Sequence, residues 1–260
     1  MTTMIVPIRR IPPLGGFNLT FLALEIRRLL RNSRTVIFTL VLPVMFFLIF
    51  GAHQSYSNER AGSGNVEAFI MISMAVYGAM LGTTATGAMV SVERAQGWSR
   101  QLRLTPLKPV AYIAVKVLTA TLVGLASIAA VYLAGGITGA HMPVSVWMET
   151  ALIAWIGSLV FAAFGLFMGY LLPSENVMQI LGPVLALLAF LGGLFIPLDV
   201  LGEPFRTVAQ FTPMYGLNQL VHAPLMHEVL SFGAVINVVL WAALFVAGAA
   251  WRFRRDTARV

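Results

Sequence analysis

The sequence contains no cysteine, and only 10% of its 260 residues are charged. The first absence excludes a disulfide framework, a zinc-thiolate centre, an iron–sulfur cluster and a cysteine nucleophile. The second excludes most soluble enzymes, because a water-wetted domain carries roughly 25% charged residues. Catalytic motifs are missing as well. No GxxxxGK[ST], HExxH or GxSxG word occurs, so the chain offers neither a phosphate loop for ATP nor a recognisable hydrolytic centre of those kinds.

What remains is apolar: 58% of the residues are hydrophobic and the mean hydropathy is +0.85. A helix needs about 20 such residues to cross a ~30 Å hydrocarbon layer. Six runs qualify, at about 36–52, 66–92, 110–137, 146–172, 177–197 and 229–251. The first begins too deep for a signal peptide and lacks a small-residue cleavage pattern, so it reads as a retained span. Only residues 173–176 separate spans four and five, which predicts a tight antiparallel pair.

Orientation follows the basic residues, which are retained on the cytoplasmic side. Arg9, Arg10, Arg27, Arg28, Arg31 and Arg34 precede span one, while Arg94, Arg100, Arg103 and Lys108 lie between spans two and three. The tail adds Arg252, Arg254, Arg255 and Arg259, whereas the opposite side holds only Arg60 and Arg206. Both termini are therefore expected in the cytoplasm, in a cell membrane. The net charge of +7 reads as a topology signal, with no soluble basic face suited to nucleic acid.

Ionisable groups within spans cost about 2.5–3.5 kcal/mol on insertion scales and mark function. Lys116, about two turns into span three, is expected to snorkel to the cytoplasmic surface, while Glu67 and Glu149 fall at the other face. This inventory argues against a proton-coupled antiporter. His53, His141, His222 and His227 are all assigned to loops, which argues against an intramembrane serine protease, whose Ser and His must meet inside the membrane.

Two cytoplasmic stretches read as structured. In residues 17–31, Leu22, Ile26 and Leu29 share a helical face opposite Arg27, Arg28 and Arg31, and Asn18 is a suitable N-cap. This predicts an interfacial helix with its apolar face in the acyl boundary and its arginines toward headgroups or a partner. Residues 91–118 continue span two, are interrupted at Gly97 and reach Thr105-Pro106, where proline stops one helix and permits another. They read as a short helix presented to the cytoplasm or as an ordinary amphipathic loop with positive-inside charge, and spacing alone favours the loop.

The words Glu93-Arg94, Gly97 and Leu102-Arg103-Leu104-Thr105-Pro106-Leu107, followed by Tyr112 and Lys116, resemble the type 2 ABC exporter permeases. That family includes daunorubicin-resistance-type drug exporters and lipid or polysaccharide exporters. A second likeness lies in residues 195–220, where Phe211, Pro213 and Tyr215 form an F-x-P-x-Y turn. The compact loop between spans one and two makes the chain more similar to the small bacterial drug-exporter permeases, which are linked to antibiotic resistance.

The resemblance implies an all-α integral membrane fold of six transmembrane helices, with an N-terminal interfacial helix, a cytoplasmic coupling helix and an extracellular helical hairpin before the last span. The expected layout is a leader over 1–16, the interfacial helix over 17–34, the transmembrane domain over 35–255 and a tail over 256–260. It further implies a dimer of permeases, identical or not, each docked on a separate ATP-binding subunit, with ATP and magnesium held by that partner and no cofactor here. By residue match, Glu93, Arg94, Gly97, Arg103 and Thr105 belong to the coupling segment. The translocation path of such relatives runs between the two permeases along spans two and five. Met74, Tyr77, Leu81 and Thr84 on span two, and Leu187, Phe190 and Leu194 on span five, are the candidates. Such a surface suits hydrophobic or amphipathic cargo.

The Gly78/Gly82, Gly135/Gly139 and Gly165/Gly169 pairs read as close helix packing, and Pro43 and Pro183 as kinks in spans one and five. The connection over 198–228 is expected to form short helices that partly re-enter the outer leaflet and cap the path. A passive channel and a membrane scaffold are the competing readings. A channel calls for a polar stripe along several spans, and these spans are mostly apolar.

Overall fold

A computed structural model describes residues 16–97 and 107–258 of the chain. Most of the expected leader, and Arg103 and Thr105 of the expected coupling segment, lie outside the described residues. Helix α1, Leu19–Leu30, is capped by Asn18, whose side chain accepts the Thr20 N–H at 2.8 Å. Helix α2, Ser33–Val36, runs through a π-helical stretch, Ile37–Val41, into α3, Leu42–Phe50. Together they make the first of the six helices, among the described residues, that are long and apolar enough to cross a membrane.

The second span is α4, Val66–Ala95, and the third is α5, Pro109–Thr138. The fourth is two helices in series, α6, Val144–Gly157, and α7, Leu159–Leu171, broken at Ser158. Helix α8, Ser174–Leu191, is the fifth. Three shorter helices follow: α9, Leu198–Leu201, α10, Glu203–Ala209, and α11, Pro213–Met226. The last span, α12, covers Phe232–Ala258. A two-residue hairpin, β1 (Arg60–Ala61) with β2 (Gly64–Asn65), lies between spans one and two.

Span two is the axis. It is the most enclosed span and packs against spans one, three, four and five and against α11. Small residues make this possible. A Cβ on Gly165 would lie 2.2 Å from the Thr84 carbonyl oxygen, so spans two and four meet backbone to backbone. Across the same contact Thr83 and Thr84 donate to the carbonyls of Ser158 and Phe161, each at 3.2 Å.

Span one is held by a different device. Proline has no N–H and its ring displaces the carbonyl four residues earlier, so Pro43 leaves the Thr39 carbonyl without its helical partner. Ser127 of span three donates to that carbonyl at 2.6 Å. Gly78 leaves the room in which Pro43 and Ser127 converge, since a Cβ there would sit 2.3 Å from the Ser127 oxygen. Pro43 stands in the first turn of α3, directly after the π-helical stretch, and α8 continues through Pro183.

Two expectations need correction. Spans four and five are joined by a short turn, yet span five takes span two as its principal partner and touches span four little. A short connection fixes where two helices meet but not how far they run together. The second concerns His222, expected in a loop. It lies within α11 and is 6% exposed. Thr212 caps α11, accepting the Tyr215 N–H at 3.3 Å, with Pro213 in the first turn. The helix then buries Met214, Leu217, Val221 and Leu225. A polar connection with an apolar i, i+3, i+7 stripe is a packed helix.

Candidate functional site

The two ends of the bundle carry different chemistry. At one end α1, the last turn of α4 and the first turns of α5 meet around a buried ion cluster. Glu25, Glu93 and Lys116 are 7%, 2% and 2% exposed. The Lys116 ammonium donates to Glu25 Oε2 at 2.7 Å and to Glu93 Oε1. Arg28 reaches the same Glu93 oxygen at 2.9 Å and lies 3.9 Å from Glu25. The Tyr112 hydroxyl donates to Glu93 Oε2, and the Lys116 ammonium stands 5.5 Å from the centre of the Tyr112 ring.

Among the described residues two carboxylates face two cations, so their charges balance. Buried charges persist only when paired and hydrogen-bonded, and each carboxylate here has at least two donors or cations within reach. The cluster therefore cross-links three elements that the sequence separates by up to 91 positions. Beneath it a small apolar cluster of Val90, Tyr112, Tyr170 and Ala249 receives Phe21 from α1.

This corrects two readings of that end. Lys116 does not snorkel, because its ammonium is held inside by Glu25 and Glu93. The α1 face bearing Leu22, Ile26 and Leu29 also carries Glu25, and this face turns toward span three rather than the acyl boundary, with Leu29 at 6% exposure. Arg27 and Arg31 remain exposed, while Arg28, whose side chain is 41% exposed, enters the cluster. Glu25 was missed as a site residue. Its signal was a lone acid within an apolar stripe, matched by a lone Lys within a span.

Arg94 points across to span four. Its guanidinium donates to the Gly169 and Tyr170 carbonyls at 3.2 and 3.1 Å and lies 5.5 Å from the Tyr170 ring centre. These carbonyls end helix α7, where a cation meets the negative end of the helix dipole. Gly97 takes φ +73°, the left-handed conformation that ends helices at glycine, and its N–H bonds the Arg94 carbonyl at 3.0 Å. The chain thus leaves α4 at Ala95, two residues after Glu93, and enters α5 at Pro109, three residues before Tyr112.

At the opposite end, a cavity of about 510 Å³ lies among the ends of spans one, two and five. Met74, Phe190 and Leu194 are in its wall. Tyr77 stands one layer away, with its ring 5.0 Å from that of Phe195, a lining residue. Leu81 is half-buried, and Leu187 is on the outer surface at 57% exposure. Thr84 is fully enclosed against span four, donating to Phe161, and so does not share a surface with the others. Ser73, also in the lining, meets His222, with Oγ 3.2 Å from Nε2.

Among the described residues no group of three His, Cys, Asp or Glu side chains is placed to hold a metal ion. The arrangement can fix a peripheral helix rigidly to two spans at one end and enclose an apolar body at the other.

Residues 18–226 match the family model described as ABC-2 type transporter. The chain is also similar to the Bacillus subtilis (strain 168) protein named "Putative transport permease YvfS". The two are 30% identical over 196 residues, which cover 74% of this chain and 78% of that protein.

Proposed function

The chain belongs to the ABC-2 type transporter family, a premise from which we propose that it is the permease of an exporter driven by a separate ATP-binding subunit. Membership makes it a multi-pass membrane subunit of an ABC transporter with an ABC ATP-binding partner. The proposed cargo is a hydrophobic or amphipathic compound, drug-like or lipid-like, moved out of the cytoplasm or inner leaflet. The basic end of the bundle is cytoplasmic in this reading, and a second permease, identical or not, completes the path.

The observation that carries the proposal is the Glu25–Glu93–Lys116 cluster. The expected coupling segment, residues 91–118, begins in the last turns of α4 and ends within α5. Glu93 and Tyr112 stand on those two helices, and the cluster ties both to α1. A push on this segment therefore moves the ends of spans two and three together with α1. Arg27 and Arg31 remain exposed beside it for contact with headgroups or with the partner. The exposed apolar side chains of span one and Leu187 suit lipid or a second permease.

Purifying the tagged chain in mild detergent from its native membrane tests this reading. A phosphate-loop ATPase is expected in stoichiometric amount by mass spectrometry. Recovery of this chain alone, while a control membrane complex survives the same detergent, contradicts it.

A further inference from the structure

Helix α1 exposes more than its arginines. Leu19 and Leu30, at its two ends, are 71% and 63% exposed, and Ala23 between them is exposed as well. At about 100° per residue these three fall within about 40° of one another. Arg27 and Arg31 follow at about 80° and 120° from Leu19, and Leu24, also exposed, at about 140°. The outer side of α1 is thus an apolar edge, then a pair of guanidiniums, then a second edge marked by Leu24.

The ion cluster fixes the depth of this helix. Glu25 of α1 accepts from Lys116 at 2.7 Å. Lys116 is the seventh residue of the membrane-length stretch Val110–Thr138, about 9 Å along span three at 1.5 Å per residue. Side chains lean toward a helix N-terminus, here toward the end of the span, so α1 lies level with the first turns of span three. The headgroup zone beside the hydrocarbon is roughly 5–7 Å deep, which places α1 in that zone rather than clear of the bilayer. Across Asn32 the chain then enters span one, where exposed Arg34 precedes exposed Ile37 and Phe38 by about one turn.

We propose that Arg27 and Arg31 form a site for the phosphate of an anionic phospholipid headgroup. Residues four apart on a helix have Cβ atoms about 5–6 Å apart, so both guanidiniums reach one phosphodiester, which arginine engages through paired N–H donors. Among the described residues neither arginine has an acidic partner. The acyl chains lie along Leu19, Ala23 and Leu30 and along Ile37 and Phe38, and Arg34 adds a third cation at the elbow. A zwitterionic headgroup brings its own ammonium beside the arginines and gains less. Because the cluster ties α1 to spans two and three, such a lipid holds that whole corner at the membrane surface, whatever the cargo.

Two measurements on the full chain test this. In nanodiscs of mixed phosphatidylglycerol and phosphatidylcholine, spin labels at Leu30→Cys and Leu24→Cys are compared by power saturation with oxygen and with a nickel chelate. The label at position 30 is expected to collide mainly with oxygen, as an acyl-chain neighbour does, and the label at position 24 mainly with the nickel complex. In detergent, binding of phosphatidylglycerol and phosphatidylcholine, each with one fluorescent acyl chain, is read by anisotropy. Wild type is expected to prefer phosphatidylglycerol, and Arg27→Gln/Arg31→Gln to lose roughly fivefold of that preference for each arginine removed. Both side chains are exposed, so this variant should melt with wild type. Lys108→Gln/Arg255→Gln removes the same charge from two other exposed positions and is expected to keep the preference. A preference that survives in Arg27→Gln/Arg31→Gln, a loss of equal size in the control pair, or a label at position 30 that meets nickel as readily as the one at 24 overturns the proposal. Loss of the ATPase from Arg27→Gln/Arg31→Gln with the lipid preference intact also overturns it, by assigning the two arginines to the partner contact. Absence of an ATPase from wild-type preparations contradicts the exporter reading and leaves the lipid site standing.

Discussion

Replacing Lys116 with alanine is expected to destabilise the chain by about 3–5 kcal/mol, the range for breaking a buried ion pair from one side. The reason is the geometry of what remains. Glu25 and Glu93, 7% and 2% exposed, would lose the ammonium they share and face each other in a site closed to water. Arg28 reaches Glu93 at 2.9 Å but lies 3.9 Å from Glu25, so it cannot replace both bonds. The double substitution Glu25→Met/Lys116→Met removes one charge of each sign and fills the space with apolar side chains. Such exchanges are often neutral or stabilising, and Glu93 keeps Arg28 and Tyr112. Thermal unfolding of the purified proteins in detergent is therefore expected to place the double variant near wild type and Lys116→Ala well below it. Equal melting of wild type and Lys116→Ala would show that the cluster does not hold the fold.

Gly165→Ala is the second large effect, expected at about 3 kcal/mol, the upper end of the usual range for overpacking. The added methyl would sit 2.2 Å from the Thr84 oxygen and 2.8 Å from that residue's backbone carbons. A side chain can rotate away from such a clash, but two helix backbones cannot. Spans two and four would have to separate, and the bonds from Thr83 and Thr84 to span four would lengthen with them. Gly182→Ala is the control. Nothing lies within 4 Å of its would-be methyl, and alanine is favoured over glycine in a helix by roughly 0.5–1 kcal/mol. Its melting temperature should match or exceed wild type. A Gly165→Ala protein as stable as Gly182→Ala would contradict the close crossing.

The spans were legible because a hydrocarbon layer demands long apolar runs, and among the described residues six apolar helices of 18 or more residues match the six runs of the sequence. The Gly165/Gly169 pair was legible for a related reason, since small residues four apart make a flat helix face. The sequence said less about partners. The turn after Leu171 suggested that spans four and five pair along their length, but span two offers span five the larger surface. Helical spacing grouped Thr84 with Met74, although the choice between a path and a neighbouring helix depends on where span four crosses.

The site was half legible. Glu93, Arg94 and Gly97 were singled out as a word, and all three mark the end of span two. What periodicity could not supply was the partner of Glu93. Glu25 and Lys116 are 91 positions apart, one on the N-terminal helix and one near a span end, and no periodicity links them. Taken together, two opposite charges at membrane-end positions form a pair that burial makes obligatory. His222 was missed because proline and histidine in a connection suggest a loop, whereas Pro213 stands in the first turn of α11, where proline is tolerated.

The central claim is that the cluster passes motion from the coupling end to the spans. The absence of native cysteine lets spin labels be placed at chosen sites, here Leu48→Cys on span one and Leu187→Cys on span five, both exposed. The decisive measurement is the distance between these labels in the complex with its ATP-binding subunit, before and after trapping with ATP and vanadate. Wild type is expected to show a shifted distance on trapping. Glu25→Met/Lys116→Met, folded and still bound to an ATPase that hydrolyses ATP, is expected to show little or none. An undiminished shift in that variant would contradict the account, because α1 would then be no part of the linkage.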